Sequence, residues 1–90
     1  MRINDEINRG EMKVTVFKMN ERLSVKFERD LTEVIYKFRD GSGFHESSYR
    51  QYLTDSLLMK MEAVLYNATV LKNEALNQLS EDPDDLPKIL

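Results

Sequence analysis

The longest helical pattern in this chain is too long for the strands that come before it. From Ser48 to Leu79 the apolar spacing is typical of one helix of about 32 residues, which would span about 50 Å. The apolar segments before it have strand spacing and span about 25 Å each. A helix twice as long as its sheet leaves apolar surface that one small domain cannot cover. We therefore expect a second copy, a partner protein, or a break that folds the helix back.

Strand spacing occurs in three consecutive segments. Apolar residues alternate with polar ones at Met12, Val14 and Val16, at Leu23, Val25 and Phe27, and at Val34, Tyr36 and Phe38. If Asn20-Glu21 and Arg29-Asp30 are two-residue turns, Val16 faces Val25 and Val25 faces Val34. Both hairpins then place their apolar residues on one face, which a slip of one residue would destroy. The sequence predicts a three-stranded antiparallel meander with the second strand in the middle.

The same register makes a prediction about the outer face of the sheet. Lys13 lies opposite Glu28, and Lys26 lies opposite Glu33. Opposite charges placed directly across two strands stabilise a solvated face. We therefore expect most basic residues of the sheet to be neutralised by neighbouring acids.

Residues 1–10 are polar and carry no clear strand spacing. Ile3 and Ile7 are four residues apart, which fits a single helical turn with Asn4 as its cap. The alternative is a loose arm. The segment is predicted to be an arm or a short helical turn outside the sheet.

The helix itself has a start signal and one weak point. Ser48 and Gln51 fit a capping box, in which the two side chains bond the first free N–H groups. A break near Asn67 is an alternative to a continuous helix. The apolar spacing passes through Asn67 without a change of phase, which favours continuity. The residues predicted to bind a second copy are Leu58, Met61, Leu65, Ala68, Leu71 and Ala75.

These elements together predict an α+β fold in which residues 1–79 form one domain. Residues 80–90 are expected to be an acidic, mobile tail, because Pro83 and a high charge density stop the helix. Asp82, Asp84 and Asp85 do not have the spacing of a calcium loop. The default expectation is that they belong to a solvated acidic tail, and the alternative is that they contact a basic surface on a partner protein.

Composition excludes several classes of function. The chain has no cysteine and one histidine, His45, so no thiolate site and no pair of histidines is available for a metal. No group is placed to orient His45 as a general base, and no cofactor, metal site or enzymatic activity is expected. The absence of a signal-like or membrane-spanning apolar run leads us to expect a cytoplasmic protein that does not enter a membrane.

The leading hypothesis is therefore a small, non-enzymatic protein-binding module that forms a homodimer through its long helix. The overlong apolar helix and the charge-paired strands motivate it. By analogy with small acidic proteins of phages and other mobile elements, such a module acts as an inhibitor or an accessory factor. The identity of its protein partner is not encoded in any motif.

The alternative hypothesis is nucleic-acid binding by the sheet face and the N-terminal arm. Phe17 can stack on a base, and Arg22 faces Lys37 in the predicted register with no acid beside them. The net charge of −3 argues against this function, because phosphate contacts require an excess of cations.

Overall fold

The fold is α+β, with a four-stranded antiparallel sheet and a long C-terminal helix. The computed structural model describes residues 2–80, and every structural statement below refers to that part. The elements are β1 (Arg2–Arg9), β2 (Met12–Met19), β3 (Arg22–Arg29), β4 (Thr32–Lys37), α1 (Tyr49–Tyr52) and α2 (Asp55–Ser80). The order of strands in the sheet is the order in the chain. The α+β prediction is confirmed, with four strands where three were expected.

The additional strand is β1, so the prediction of an arm or helical turn for residues 1–10 was wrong. A bulge between Ile3 and Asp5 shifts the register of β1 against β2. Ile3 therefore lies opposite Phe17, while Ile7 lies opposite Val14 on the other face. Two residues four apart normally share one face of a strand. The bulge places them on opposite faces, and with only these two apolar residues β1 lacks the alternation that identifies the other strands.

The register predicted for β2 and β3 is confirmed. Val16 lies opposite Val25, and Val14 lies opposite Phe27. Asn20 and Glu21 form the turn with φ of 55° and 66°. Two positive φ values in succession are typical of the two-residue turns whose twist matches that of the flanking strands.

The turn between β3 and β4 lies one residue later than predicted. It is formed by residues 30 and 31, since Arg29 pairs with Thr32. Phe27 consequently lies opposite Val34, and Val25 lies opposite Tyr36. This displaces the predicted register by two residues. An even displacement keeps the apolar residues on the predicted face, so the composition of that face was right although its pairs were wrong.

Of the two cross-strand placements predicted for opposite charges on the outer face, one is confirmed and the other is wrong, and Lys13 forms its ion pair with Glu6 of β1. Lys13 lies opposite Glu28, as expected. Lys26 lies opposite Ile35 rather than Glu33, and Glu33 lies opposite Glu28. Lys26 Nζ instead approaches Glu28 Oε1 of its own strand at 3.3 Å.

The helical region is interrupted, but at a position that the sequence pattern did not reveal. α1 ends at Tyr52, and α2 begins at Asp55. The backbone N–H of Leu57 donates to Thr54 Oγ1 at 3.1 Å, so Thr54 caps α2. The predicted capping box at Ser48 is absent, because Ser48 Oγ donates to the carbonyl of Gly43 instead.

α2 passes through Asn67 without a break, which confirms the predicted continuity at that point. The helix covers the inner face of the sheet through Leu58, Met61 and Leu65, of which Leu65 is fully buried. Leu58 and Leu65, two of the residues predicted to bind a second copy, are therefore buried within their own chain. The other members of this core are Met12, Val14, Val16, Leu23, Val25, Phe27, Phe44 and Leu53.

The path of α2 determines which surfaces remain open. Glu62 reaches Arg9 at the end of β1, and seven residues later Thr69 Oγ1 lies 2.8 Å from Thr32 Oγ1 of β4. The helix therefore crosses from the β1 side of the sheet to the β4 side. Farther along the helix, Lys72 Nζ donates to the Leu31 carbonyl in the turn before β4. Within residues 2–80, neither helix combines the length and hydropathy that a membrane span requires.

Candidate interaction surfaces

The end of α2 extends past the sheet as an exposed helical segment, residues 71–79, which we call the overhang. Leu71 and Leu79 are 66% and 57% exposed, whereas Leu58 on the same helix is 7% exposed. Single exposed leucines are common on protein surfaces, but several on one projecting helix form an apolar surface. The helix also carries exposed Met59, Val64 and Tyr66 closer to the sheet.

The six residues predicted to bind a second copy fall into two groups, one buried under the sheet and one at or beyond the point where α2 leaves it. Leu58, Met61 and Leu65 lie in the core of their own chain and contact the sheet. Ala68 is half-buried near the point where the helix leaves the sheet, while Leu71 and Ala75 lie exposed on the overhang. Only the second half of the predicted set is available to another molecule.

β4 forms one edge of the sheet. The backbone N–H of Phe38 donates to the carbonyl of Leu23 at 3.3 Å, so the even-numbered residues of this strand bond β3. Backbone groups alternate in direction along an antiparallel strand. The N–H and C=O groups of Glu33, Ile35 and Lys37 therefore point away from the sheet.

β1 forms the opposite edge, and it is much less suited to pairing with another strand. Its register is broken by the bulge after Ile3. Charged side chains also dominate it: Arg9 binds Glu62, and Asp5 binds Arg50. Bulges and charged residues are the usual means by which proteins protect an edge strand.

The outer face of the sheet contains a depression of about 540 Å³. Its lining residues are Phe17, Met19, Asn20, Arg22, Ser24, Ile35 and Lys37. The three residues of the nucleic-acid hypothesis therefore lie around one concavity. Their predicted arrangement was wrong in detail, since Lys37 lies opposite Ser24 and not opposite Arg22. Phe17 is 8% exposed, so only a small part of its ring is accessible.

The cations at this depression differ from most others in residues 2–80. Neither Arg22 nor Lys37 has an ion pair there, whereas Lys13 pairs with Glu6 and Lys18 pairs with Glu46. The predicted neutralisation of basic residues thus holds for much of the sheet but not at this depression.

Asp5 connects β1 to the short helix α1. Its Oδ2 accepts a hydrogen bond from the Tyr49 hydroxyl at 2.9 Å and another from Arg50 Nη2 at 2.6 Å. Burial acts to raise the pKa of Asp5, but these two partners and the positive charge of Arg50 hold that pKa below its ordinary value. Burial and the bond to Asp5 raise the pKa of the Tyr49 hydroxyl. Asp5 is therefore ionised in the native protein at neutral pH.

Glu46, in the loop between β4 and α1, connects that loop to the start of β1. It accepts hydrogen bonds from Asn4 Nδ2 at 3.0 Å and Arg2 Nη2 at 2.6 Å, and Lys18 lies 3.6 Å away. The bond from Asn4, followed by the charges of Lys18 and Arg2, lowers the pKa of Glu46. Together with Asp5, it fixes the α1 region over β1.

The remaining candidate residues are His45 and the three aspartates of the predicted tail. His45 is exposed beside Glu46, and residues 2–80 contain no cluster of His, Cys, Asp or Glu that could hold a metal ion. Asp82, Asp84 and Asp85 lie outside the described residues, as does most of the predicted acidic tail.

Comparisons with protein-family models, with curated proteins and with solved structures found no match to this chain.

The surface that sequence reasoning missed is the edge formed by β4. Its signal was present in the symmetric spacing Glu33-x-Ile35-x-Lys37, in which opposite charges flank an apolar residue. The spacing has significance only for an edge strand. That edge position depends on the β3–β4 pairing and on β4 being the last strand of the sheet formed by residues 2–80.

Proposed function

We propose that this chain is a small, non-enzymatic protein-binding module that forms a homodimer through α2 and acts as an inhibitor or accessory factor. The supporting observation is the overhang, where Leu71 and Leu79 are exposed on a helix that has passed its own sheet. Burial of such a surface against a symmetric copy is a common way for a small domain to gain stability.

Size-exclusion chromatography with light scattering tests the self-association. We expect a mass of twice the 10.6 kDa chain at micromolar concentrations. Leu71→Glu is expected to give a monomer, because it places a charge within the apolar interface. Asn73→Glu adds the same charge at another exposed position of the overhang and serves as the control. A monomeric wild type, or a Leu71→Glu variant that remains dimeric, contradicts the proposal.

Nucleic-acid binding is the second candidate, supported by the location of Phe17, Arg22 and Lys37 around one depression. Arg22 and Lys37 supply positive charge that no acid of residues 2–80 pairs. Met19 and Ile35 add apolar surface on which a base can lie. The net charge of −3 and the ion pairs of the other sheet cations weigh against this function.

A salt titration with single-stranded RNA separates the two candidates. Phosphate contacts make affinity fall steeply as salt increases. If the depression binds RNA, replacing Arg22 and Lys37 together with alanine removes binding, while Lys13→Ala, which removes a paired cation, has a small effect. Absence of binding by the wild type at low salt eliminates this candidate.

A further inference from the structure

The free edge of β4 is the part of the sheet best suited to pair with another strand. Six consecutive residues without a bulge or proline form it, and the backbone groups of Glu33, Ile35 and Lys37 point outward. Within residues 2–80 no backbone hydrogen bond is made to these outward groups. An open strand edge of this kind is a template for antiparallel pairing.

We propose that two copies of this chain join edge to edge, with β4 pairing antiparallel to β4 of a second copy around a two-fold axis at Ile35. This inference rests on the proposed homodimer and specifies where its sheets meet. The axis is perpendicular to the sheet, so residues placed opposite each other lie on the same face. The outward groups of Glu33, Ile35 and Lys37 form the new hydrogen bonds.

The charges of β4 select this register. With Ile35 opposite the partner's Ile35, Glu33 lies opposite the partner's Lys37, and symmetry repeats the pair on the other side. A register centred on Val34 places Glu33 opposite the partner's Ile35. A register centred on Tyr36 places Lys37 opposite the partner's Ile35. Only the register centred on Ile35 matches both charges with opposite charges.

The direction of α2 agrees with this arrangement. α2 leaves the sheet near Thr32, at the start of β4, whereas the end of β4 adjoins an aromatic cluster in which Phe38 stacks on Phe44 with ring centroids 4.0 Å apart. Rotation about Ile35 exchanges the two ends of the strand. The partner's Phe38 end therefore lies beside the Thr32 end of this chain, on the side where the overhang projects.

The overhang then lies over the half of the joined sheet that the second copy supplies. Tyr52 belongs to the same aromatic cluster and is 39% exposed, so the partner presents apolar surface to Leu71 and Leu79. The helix is longer than a four-stranded sheet is wide, and in the dimer it lies over a joined sheet of eight strands. Edge pairing and helix burial are two parts of one interface.

Disulfide trapping tests the position of the axis, because the chain has no cysteine of its own. Residues opposite each other on antiparallel strands have Cα atoms about 5 Å apart, within the range that a disulfide spans. Ile35→Cys is expected to give a covalent dimer on mild oxidation. Ile3→Cys, at an exposed position of the β1 edge, is the control and is expected to remain monomeric in denaturing gels.

Charge reversal tests the register without a covalent bond. Glu33→Lys and Lys37→Glu each replace two opposite-charge contacts with two like-charge contacts, and each is expected to raise the dimer Kd about tenfold. The double variant Glu33→Lys with Lys37→Glu restores opposite charges and is expected to recover the wild-type Kd. Circular dichroism of each variant confirms that the monomer remains folded.

The outcomes separate this inference from the proposed function. A dimer in which Ile35→Cys crosslinks no faster than Ile3→Cys overturns edge pairing and leaves dimerisation through α2 intact. Edge pairing is also overturned if the double charge reversal fails to recover the Kd. A wild-type chain that is monomeric overturns both the inference and the proposed dimer. Selective crosslinking at position 35 together with charge recovery supports the inference.

Discussion

At the scale of single residues, Asp5 is the clearest case of a side chain that stabilises the fold by its charge. It receives the Tyr49 hydroxyl and the Arg50 guanidinium on one carboxylate oxygen. No sequence pattern indicated this contact, because Asp5 and Tyr49 are 44 positions apart in the chain and because residues 1–10 were not predicted to be a strand. Contacts between distant residues follow only from the tertiary fold.

The lowered pKa of Asp5 predicts a dependence of stability on pH. A carboxyl group whose pKa is lower in the folded than in the unfolded state stabilises the protein above its unfolded pKa, and this contribution is lost as the pH falls through the folded pKa. The wild type is therefore expected to lose stability below about pH 4. Asp5→Asn is expected to be less stable by about 1 kcal/mol at pH 7 and to show a smaller loss on acidification.

Urea unfolding at pH 7 and at successively lower pH measures both effects. Asn8→Ala changes an exposed residue of the same strand and is the control. Equal acid dependence in Asp5→Asn and the wild type would contradict the assignment to Asp5.

At the scale of elements, the hairpin between β2 and β3 could be predicted in full because its register follows from alternation and from a two-residue turn. Glu21 adopts φ of 66° in that turn, a conformation that costs little for glycine and more for other residues. Natural turns of this type favour Asn-Gly, and the chain has Asn20-Glu21.

Glu21→Gly is therefore expected to raise the free energy of unfolding by about 0.5–1 kcal/mol. The ion pair that it removes, Lys18 to Glu21 at 3.9 Å, is exposed and contributes little. Leu31→Gly changes the second residue of the next turn, where φ is not positive, and is expected to destabilise the protein. Chemical denaturation of both variants measures the difference; a loss of stability in Glu21→Gly would contradict the explanation.

Other elements could be predicted only in part, for identifiable reasons. The break before α2 left the helical periodicity undisturbed, since Leu53 and Leu57 are four residues apart on either side of it. Thr54-Asp55-Ser56 is a cluster of good N-cap residues and was the available signal. The bulge in β1 left no comparable signal. Of the candidate surfaces, the apolar overhang was foreseen, whereas the β4 edge required the correct number of strands.

At the scale of the whole molecule, the shape is elongated. The radius of gyration is 17.0 Å, and the largest extent is 56 Å. A compact chain of this length has a radius of gyration of about 12 Å. α2, a helix of 26 residues whose end is exposed, contributes to this elongation.

The proposed dimer makes thermal stability depend on protein concentration. Association with a second folded copy stabilises the folded state by mass action, so the Tm of the wild type is expected to rise as concentration increases. Leu71→Glu is expected to have a Tm that does not change with concentration. Calorimetry over a roughly hundredfold range of concentration measures this, and a constant Tm for the wild type would contradict the dimer.

The bulge in β1 has a consequence for how far assembly can proceed. A sheet with two equivalent open edges would add copies without limit and grow into a fibre. In the proposed dimer the two β4 strands pair with each other at the axis, so the outer edges of the joined sheet are the two β1 strands. At these edges the register is broken after Ile3, and charged side chains dominate. The association is thus closed at two chains, because one edge of each sheet pairs with a neighbour and the other edge does not.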